Sequence, residues 1–165
     1  MSHSTVYGLW PGETRRVTLA EFKNGWGMAP VVWNAIAQRH LGALPHTWAM
    51  RADEIWPLAN HDDVPLAARA VLKMTFDTCF IRTADVRRAI DDIAIFLHAY
   101  QEVIDPAGVN HWPAYANVLV TQWVPQPPAF GVQHTSVSDN PWDGPYDEQL
   151  DRRLPFDWSL ASSVY

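Results

Sequence analysis

The side chains best placed for chemistry lie in WPLANHDDVP, residues 56–65, where His61, Asp62 and Asp63 are adjacent. Adjacent histidine and aspartate hold the ions of one large class of metal phosphohydrolases, since a neutral imidazole and a carboxylate both ligate divalent cations. Such a set needs an earlier histidine, His40 or His46, and a later carboxylate, Asp91 or Asp105. Pro57 and Pro65 bracket the triplet, however, and leave too few residues for a regular element. Asp62 or Asp63 is better suited to accept hydrogen bonds from the free N–H groups of a helix starting at Val64, with Pro65 in its first turn. A helix cap is the expected role. A second route to a metal joins His111 and His134, with Asp77. The alternative set His61, Asp62, His111 and His134 would make the chain a small metal-dependent hydrolase.

Other catalytic patterns are incomplete. A serine hydrolase needs its nucleophile on a tight turn, and no Gly-x-Ser-x-Gly occurs; Ser136 and Ser138 lie in or beside a strand-like segment. GLWPG and NGWG hold too few glycines for a phosphate loop and lack the lysine. Cys79, with nothing local to lower its pKa, reads as a small buried hydrophobe. No cofactor is expected.

A different kind of site is suggested near the end of the chain. From Asp139 to Asp151 there are five acidic residues and no basic one, with Trp142 and Tyr146 between them. Pro141 and Pro145 stiffen the run, which lowers the entropy lost on docking. Asp139, Trp142, Asp143, Tyr146 and Asp147 are therefore the expected contacts for a basic surface of another protein, with Trp142 as anchor. The competing reading is a solvated loop with Trp142 tucked over the core.

The elements that must position these residues follow from periodicity and caps. TLAE, residues 18–21, has the form of a capping box, opening a short helix that Gly25 and Gly27 break. Pro30 opens a helix with Val32, Ile36 and Leu41 near one face and Gly42 as its stop. A short helix over residues 47–55, ended by Pro57, and another from Pro65 through Leu66, Ala70 and Met74 follow. TFDTCFI turns strand-like. The clearest element is the helix from about Ala84 to Tyr100, capped by Thr83 and docked through Ile90, Ile93 and Leu97. Arg87 with Asp91 and Arg88 with Asp92 form its solvated face, and His98 sits near its C-terminal end. A further helix is capped by Asn110, a strand runs from about Phe130 to Val137, and a short helix follows Asp157.

Hydrophobic residues make up 48% of the 165 and charged residues 18%, which fits a globular chain of one domain's size. Helices and strand-like segments without a linker imply an α+β class: one compact domain spanning 1–165, several helices packed on a small sheet. Eight of the thirteen prolines lie after Asp105, so the last third, about 106–165, is proline- and loop-rich. A net charge of -6 with no basic stripe argues against nucleic acid and anionic membrane. No apolar run approaches the roughly 18 residues of a membrane helix, and no signal peptide is recognisable, which points to the cytoplasm. Nine tryptophans with no repeat between them read as rings covering the core of a small domain.

The segments NHWPAYA, residues 110–116, and HTSVSDNPWDG, residues 134–144, resemble small proteins encoded by bacteriophages and prophages. The resemblance covers about the last third, implies no fold, and favours a modulator or inhibitor of a host protein. The expectation is thus a non-enzymatic, acidic protein-binding domain. The alternatives are the metal-dependent hydrolase and a self-associating structural component.

Overall fold

The computed structural model describes residues 3–10, 13, 15–23, 28–109, 111–134 and 140–165. The expected breaks at Gly25 and Gly27, the Asn110 cap, Asp139 and the strand end at Val137 lie outside these residues.

The chain begins with two strands, β1 (His3–Trp10) and β2 (Arg15–Lys23), paired antiparallel. The capping-box reading of Thr18 and Glu21 is thereby corrected. Both residues lie inside β2, where ladder pairing with β1 overrides a local helix signal. The ladder shifts register between Val6 and Tyr7, so Leu19 stands as an extra residue on the edge strand, a bulge of the kind that discourages edge-to-edge pairing.

Helix α1 (Met28–Leu41) carries the expected apolar stripe and stops at Gly42, whose φ of 60° is the left-handed conformation that glycine adopts without strain. A helical run follows, with α2 (Ala52–Ile55) between two 3-10 turns, then α3 (Leu66–Lys73). Strand β3 (Cys79–Arg82) leads through a 3-10 turn, Thr83–Asp85, into α4 (Val86–Ala99). Next come α5 (Pro106–Val109), α6 (His111–Val120) and β4 (Ala129–Gln133). A two-stranded hairpin, β5 (Tyr146–Asp147) with β6 (Arg152–Arg153), precedes the last strand, β7 (Ser162–Ser163).

The main sheet has the order β2-β1-β4-β3-β7, antiparallel except for the parallel β3–β7 pair. Helices packed on this sheet make one α+β fold. Period-two alternation divides its side chains between two faces. Val6, Ile81, Phe130 and Val132 join the larger core with α1, α3, α4 and α6, while Tyr7, Leu9 and Ala129 face a smaller cluster around Trp142. None of the described tryptophans is exposed. On the helical side three of their indole N–H groups donate to the fold: Trp112 to the Met28 carbonyl at 3.1 Å, Trp33 to Thr75 Oγ1 at 2.8 Å and Trp123 to the Val118 carbonyl at 3.0 Å.

Two expected caps are replaced by other bonds. Helix α3 has Pro65 at its N-cap and no side-chain capping bond. Asp62 instead accepts from Arg69, one turn into the helix, at 3.1 Å, and the Asp63 N–H donates to His61 Nδ1 at 3.3 Å. Thr83 does not cap α4; its hydroxyl donates to the Pro127 carbonyl and ties the helix entry to the loop before β4. Helix α4 docks through Ala89, Ile93 and Phe96, with Ile90 and Leu97 half-buried beside them. The pair Arg87–Asp91 stands on its outer side at 3.6 Å, whereas the expected solvated position of Arg88 with Asp92 is corrected: Asp92, 4.0 Å from Arg88, is turned in toward the Tyr165 hydroxyl.

Candidate functional site

The segment from 140 to 161 lies across the sheet face opposite the helices. Its anchor is Trp142, 4% exposed, whose indole N–H donates to the Val132 carbonyl at 3.1 Å. The ring rests on Gly131, where a Cβ would overlap the indole and the Leu9 side chain. Phe156 and Trp158 close around it, with ring centroids 5.5 and 6.2 Å from that of Trp142. The expectation that Trp142 stands out as a contact anchor is therefore corrected. A residue in van der Waals contact with a strand backbone on one side and two aromatic rings on the other presents no surface for a partner.

Asp143, next to it, is also turned inward. It accepts from Arg16 Nε at 2.5 Å and Arg16 Nη2 at 3.2 Å, a two-pronged pairing, and its second oxygen lies 3.5 Å from Arg153 Nε. The bond to Asp143 raises the Arg16 pKa above its ordinary value, against the opposing effect of burial. The acidic run thus does have compensating bases. They come from strand β2 and from β6, and their approach to Asp143 was invisible in a local reading of the sequence. Nothing local to Arg16 announces a partner 127 residues away. Around this ion pair lies a cavity of about 280 Å³, with Leu9, Trp142, Phe156 and Trp158 beneath and Arg15 and Arg153 on its rim. The Trp158 indole nitrogen is buried there without a hydrogen-bond partner.

Beyond Asp143 the chain turns outward. Gly144 is buried at the turn, and a Cβ there would run into the Leu154 and Pro155 carbonyls. The Leu154 N–H donates to the Pro145 carbonyl at 2.9 Å and Arg153 Nη1 to the Gly144 carbonyl at 3.2 Å, closing the base of the β5–β6 hairpin. At the tip, Asp147 Oδ1 accepts from the N–H groups of Gln149 and Leu150 at 2.9 and 3.1 Å. The Tyr146 hydroxyl donates to Asp151, which pushes the phenol pKa up. Outside these bonds, Tyr146 and Leu150 remain 52% and 54% exposed. Leu150 was not among the expected contacts; as a lone leucine in an acidic turn it gave no pattern to read.

The four alternative metal ligands are not brought together. Among the described residues, no three histidine, cysteine, aspartate or glutamate side chains are grouped so as to hold an ion. His61 lies 3.7 Å from Asp63 on an exposed turn, and His111 packs its ring 5.9 Å from Phe22. His134 is buried at the end of β4, with Nε2 donating to the Met74 carbonyl at 3.1 Å. Burial, foremost, lowers its pKa, while the Met74 carbonyl and Asp77 act in the opposite direction. Among the described residues no helix is long and apolar enough to cross a membrane. In comparisons with protein-family models, curated proteins and solved structures, nothing matches this chain.

Proposed function

We propose that this chain is a non-enzymatic protein-binding domain whose contact surface is the β5–β6 hairpin. The observation that carries the proposal is the pairing of exposed apolar groups with a locked backbone. Tyr146 and Leu150 stand half-exposed on a hairpin whose tip and base are both closed by hydrogen bonds. A pre-ordered loop loses little entropy on docking, and tyrosine supplies contact area with few rotatable bonds. Asp147, Glu148 and Asp151 outnumber Arg152 at the tip, because Arg153 is turned toward Asp143. The partner surface is accordingly basic, steered by this local charge and by the net -6 of the chain. The resemblance of the last third to phage-encoded proteins supports a partner that is a host protein, modulated or inhibited by the contact.

A photo-crosslinking residue placed at position 146 or 150 tests the proposal, with position 124, where Val124 is 97% exposed, as control. The expected result is a discrete adduct from 146 and 150, absent from 124 and weakened in the Asp147→Asn, Glu148→Gln background. An adduct pattern that is the same from position 124 would overturn it.

A further inference from the structure

A second cavity of about 280 Å³ lies between α3 and α4. Its walls carry Arg69 and Lys73, one helical turn apart on α3, and Arg88 from the first turn of α4, with Asn60 and Tyr165 beside them. Three cations thus converge on one hollow in a chain whose net charge is -6. They are only partly answered by carboxylates. Asp62, itself fully exposed, takes Arg69 Nη1 at 3.1 Å from the outer side. Asp92 lies 4.0 Å from Arg88 and also accepts from the Tyr165 hydroxyl at 2.8 Å. Arg88 lays its guanidinium over the Tyr165 ring at 4.2 Å, which fixes its plane. Arg69 Nε is buried and has no hydrogen-bond partner. A guanidinium presents a fixed fork of donors, and Asp62 takes that of Arg69 through Nη1.

We propose that this cavity binds a small phosphate-bearing molecule. A phosphate group offers several acceptor oxygens at once, enough to meet the Arg69 and Arg88 guanidinium groups and the Lys73 ammonium together, whereas a carboxylate offers two oxygens in one plane. The cavity is larger than a phosphate group alone, which leaves space beside Asn60 and Tyr165 for the rest of the ligand. A compact anion suits the site better than a nucleic acid. The three cations act over a few ångströms, while the net negative charge of the chain repels an extended polyanion.

Calorimetric titration of the whole protein with sodium pyrophosphate, and separately with inorganic phosphate, tests this. The expected result is saturable one-to-one binding of pyrophosphate that weakens with added salt. Arg69→Gln should lower the affinity about tenfold or more, while Arg152→Gln, on the distant hairpin, leaves it unchanged. If Arg69→Gln fails to fold, Lys73→Gln supplies the same reading from a half-buried position. Absence of saturation, an affinity that neither Arg69→Gln nor Lys73→Gln changes, or tighter binding of a short oligothymidylate displaced by pyrophosphate would each overturn the proposal.

Discussion

Strands β1, β3 and β4 send alternate side chains to two layers that are built differently. On one face, four helices interdigitate over Val6, Ile81, Phe130 and Val132, and many buried residues share the load. On the other, a single irregular segment covers Tyr7, Leu9 and Ala129, and Trp142 is its one deeply buried side chain. The helical layer satisfies its backbone internally, so its side chains need only be apolar and spaced correctly. The loop layer has no internal ladder of that kind. It is fixed by particular fits: an indole on Gly131, a turn at Gly144 with no room for a Cβ, and Asp143 held by two arginines. The difference teaches where the fold tolerates change and where it does not.

The largest effect is expected at the single fit. Trp142→Ala removes the ring from Gly131, Phe156 and Trp158 together, and should cost about 3–5 kcal/mol of stability in denaturant unfolding. Hydrogen exchange should then show segment 140–161 losing protection before the helices do. A loss below about 1 kcal/mol would mean that the loop merely rests on the sheet, and the contrast between the layers would fail.

On the helical face, Ile93→Ala should cost about 2–5 kcal/mol, because Ile93 is 2% exposed beneath α4. Asp91→Asn, on the outer side of the same helix, should cost about half a kcal/mol or less. Comparable losses at the two positions would show that the face of α4 is wrongly assigned.

What could be read from the sequence follows the same division. The α4 helix was legible because Val86, Ile90, Ile93, Leu97 and Tyr100 recur at three- and four-residue steps, and the bond from the Ser159 N–H to Asp157 is local enough to see. Strand β2 was misread because TLAE carries a genuine capping pattern, and only pairing with β1 decides against it. The acidic edge around Trp142 was legible as composition but not as geometry. Whether an aromatic between carboxylates points outward depends on Gly131 and Arg16, which no local window contains. Asp62 failed as a cap for a nearer reason: Arg69, seven residues on, competes for it.

The two layers meet again at His134, which follows β4 into the interior and donates to the Met74 carbonyl on the helical side. Its pKa in the folded chain lies below the ordinary value of 6.5, with burial as the main cause. The unfolded chain therefore takes up the proton first as pH falls through that value. The stability contribution is fully present above about pH 6.5 and is lost as pH drops toward the folded pKa. His40 adds to the same slope, since burial, then Arg39 and His61, lower its pKa too. Thermal unfolding followed from neutral to mildly acidic pH should show this decline, and His134→Gln should flatten it. An unchanged slope in His134→Gln would assign the whole effect to His40 and other groups.

The smallest effect on stability is expected at Tyr146 and Leu150, and it separates the pin of the loop layer from what the layer presents. Both side chains are about half exposed, and the hairpin beneath them is closed by Asp147, Arg153 and backbone bonds that do not require them. Leu150→Ala removes only exposed surface and should change unfolding free energy by no more than about 0.5 kcal/mol. Tyr146→Phe deletes the hydroxyl bond to Asp151, at the surface, and should leave the unfolding midpoint nearly unchanged. If these changes destabilise the chain as much as Trp142→Ala does, the hairpin is part of the packing, and exposure no longer marks it as a contact surface. If they leave stability intact while abolishing the adducts formed from the hairpin, the layer has two parts: a buried indole that fixes the hairpin, and a tip free to meet a partner.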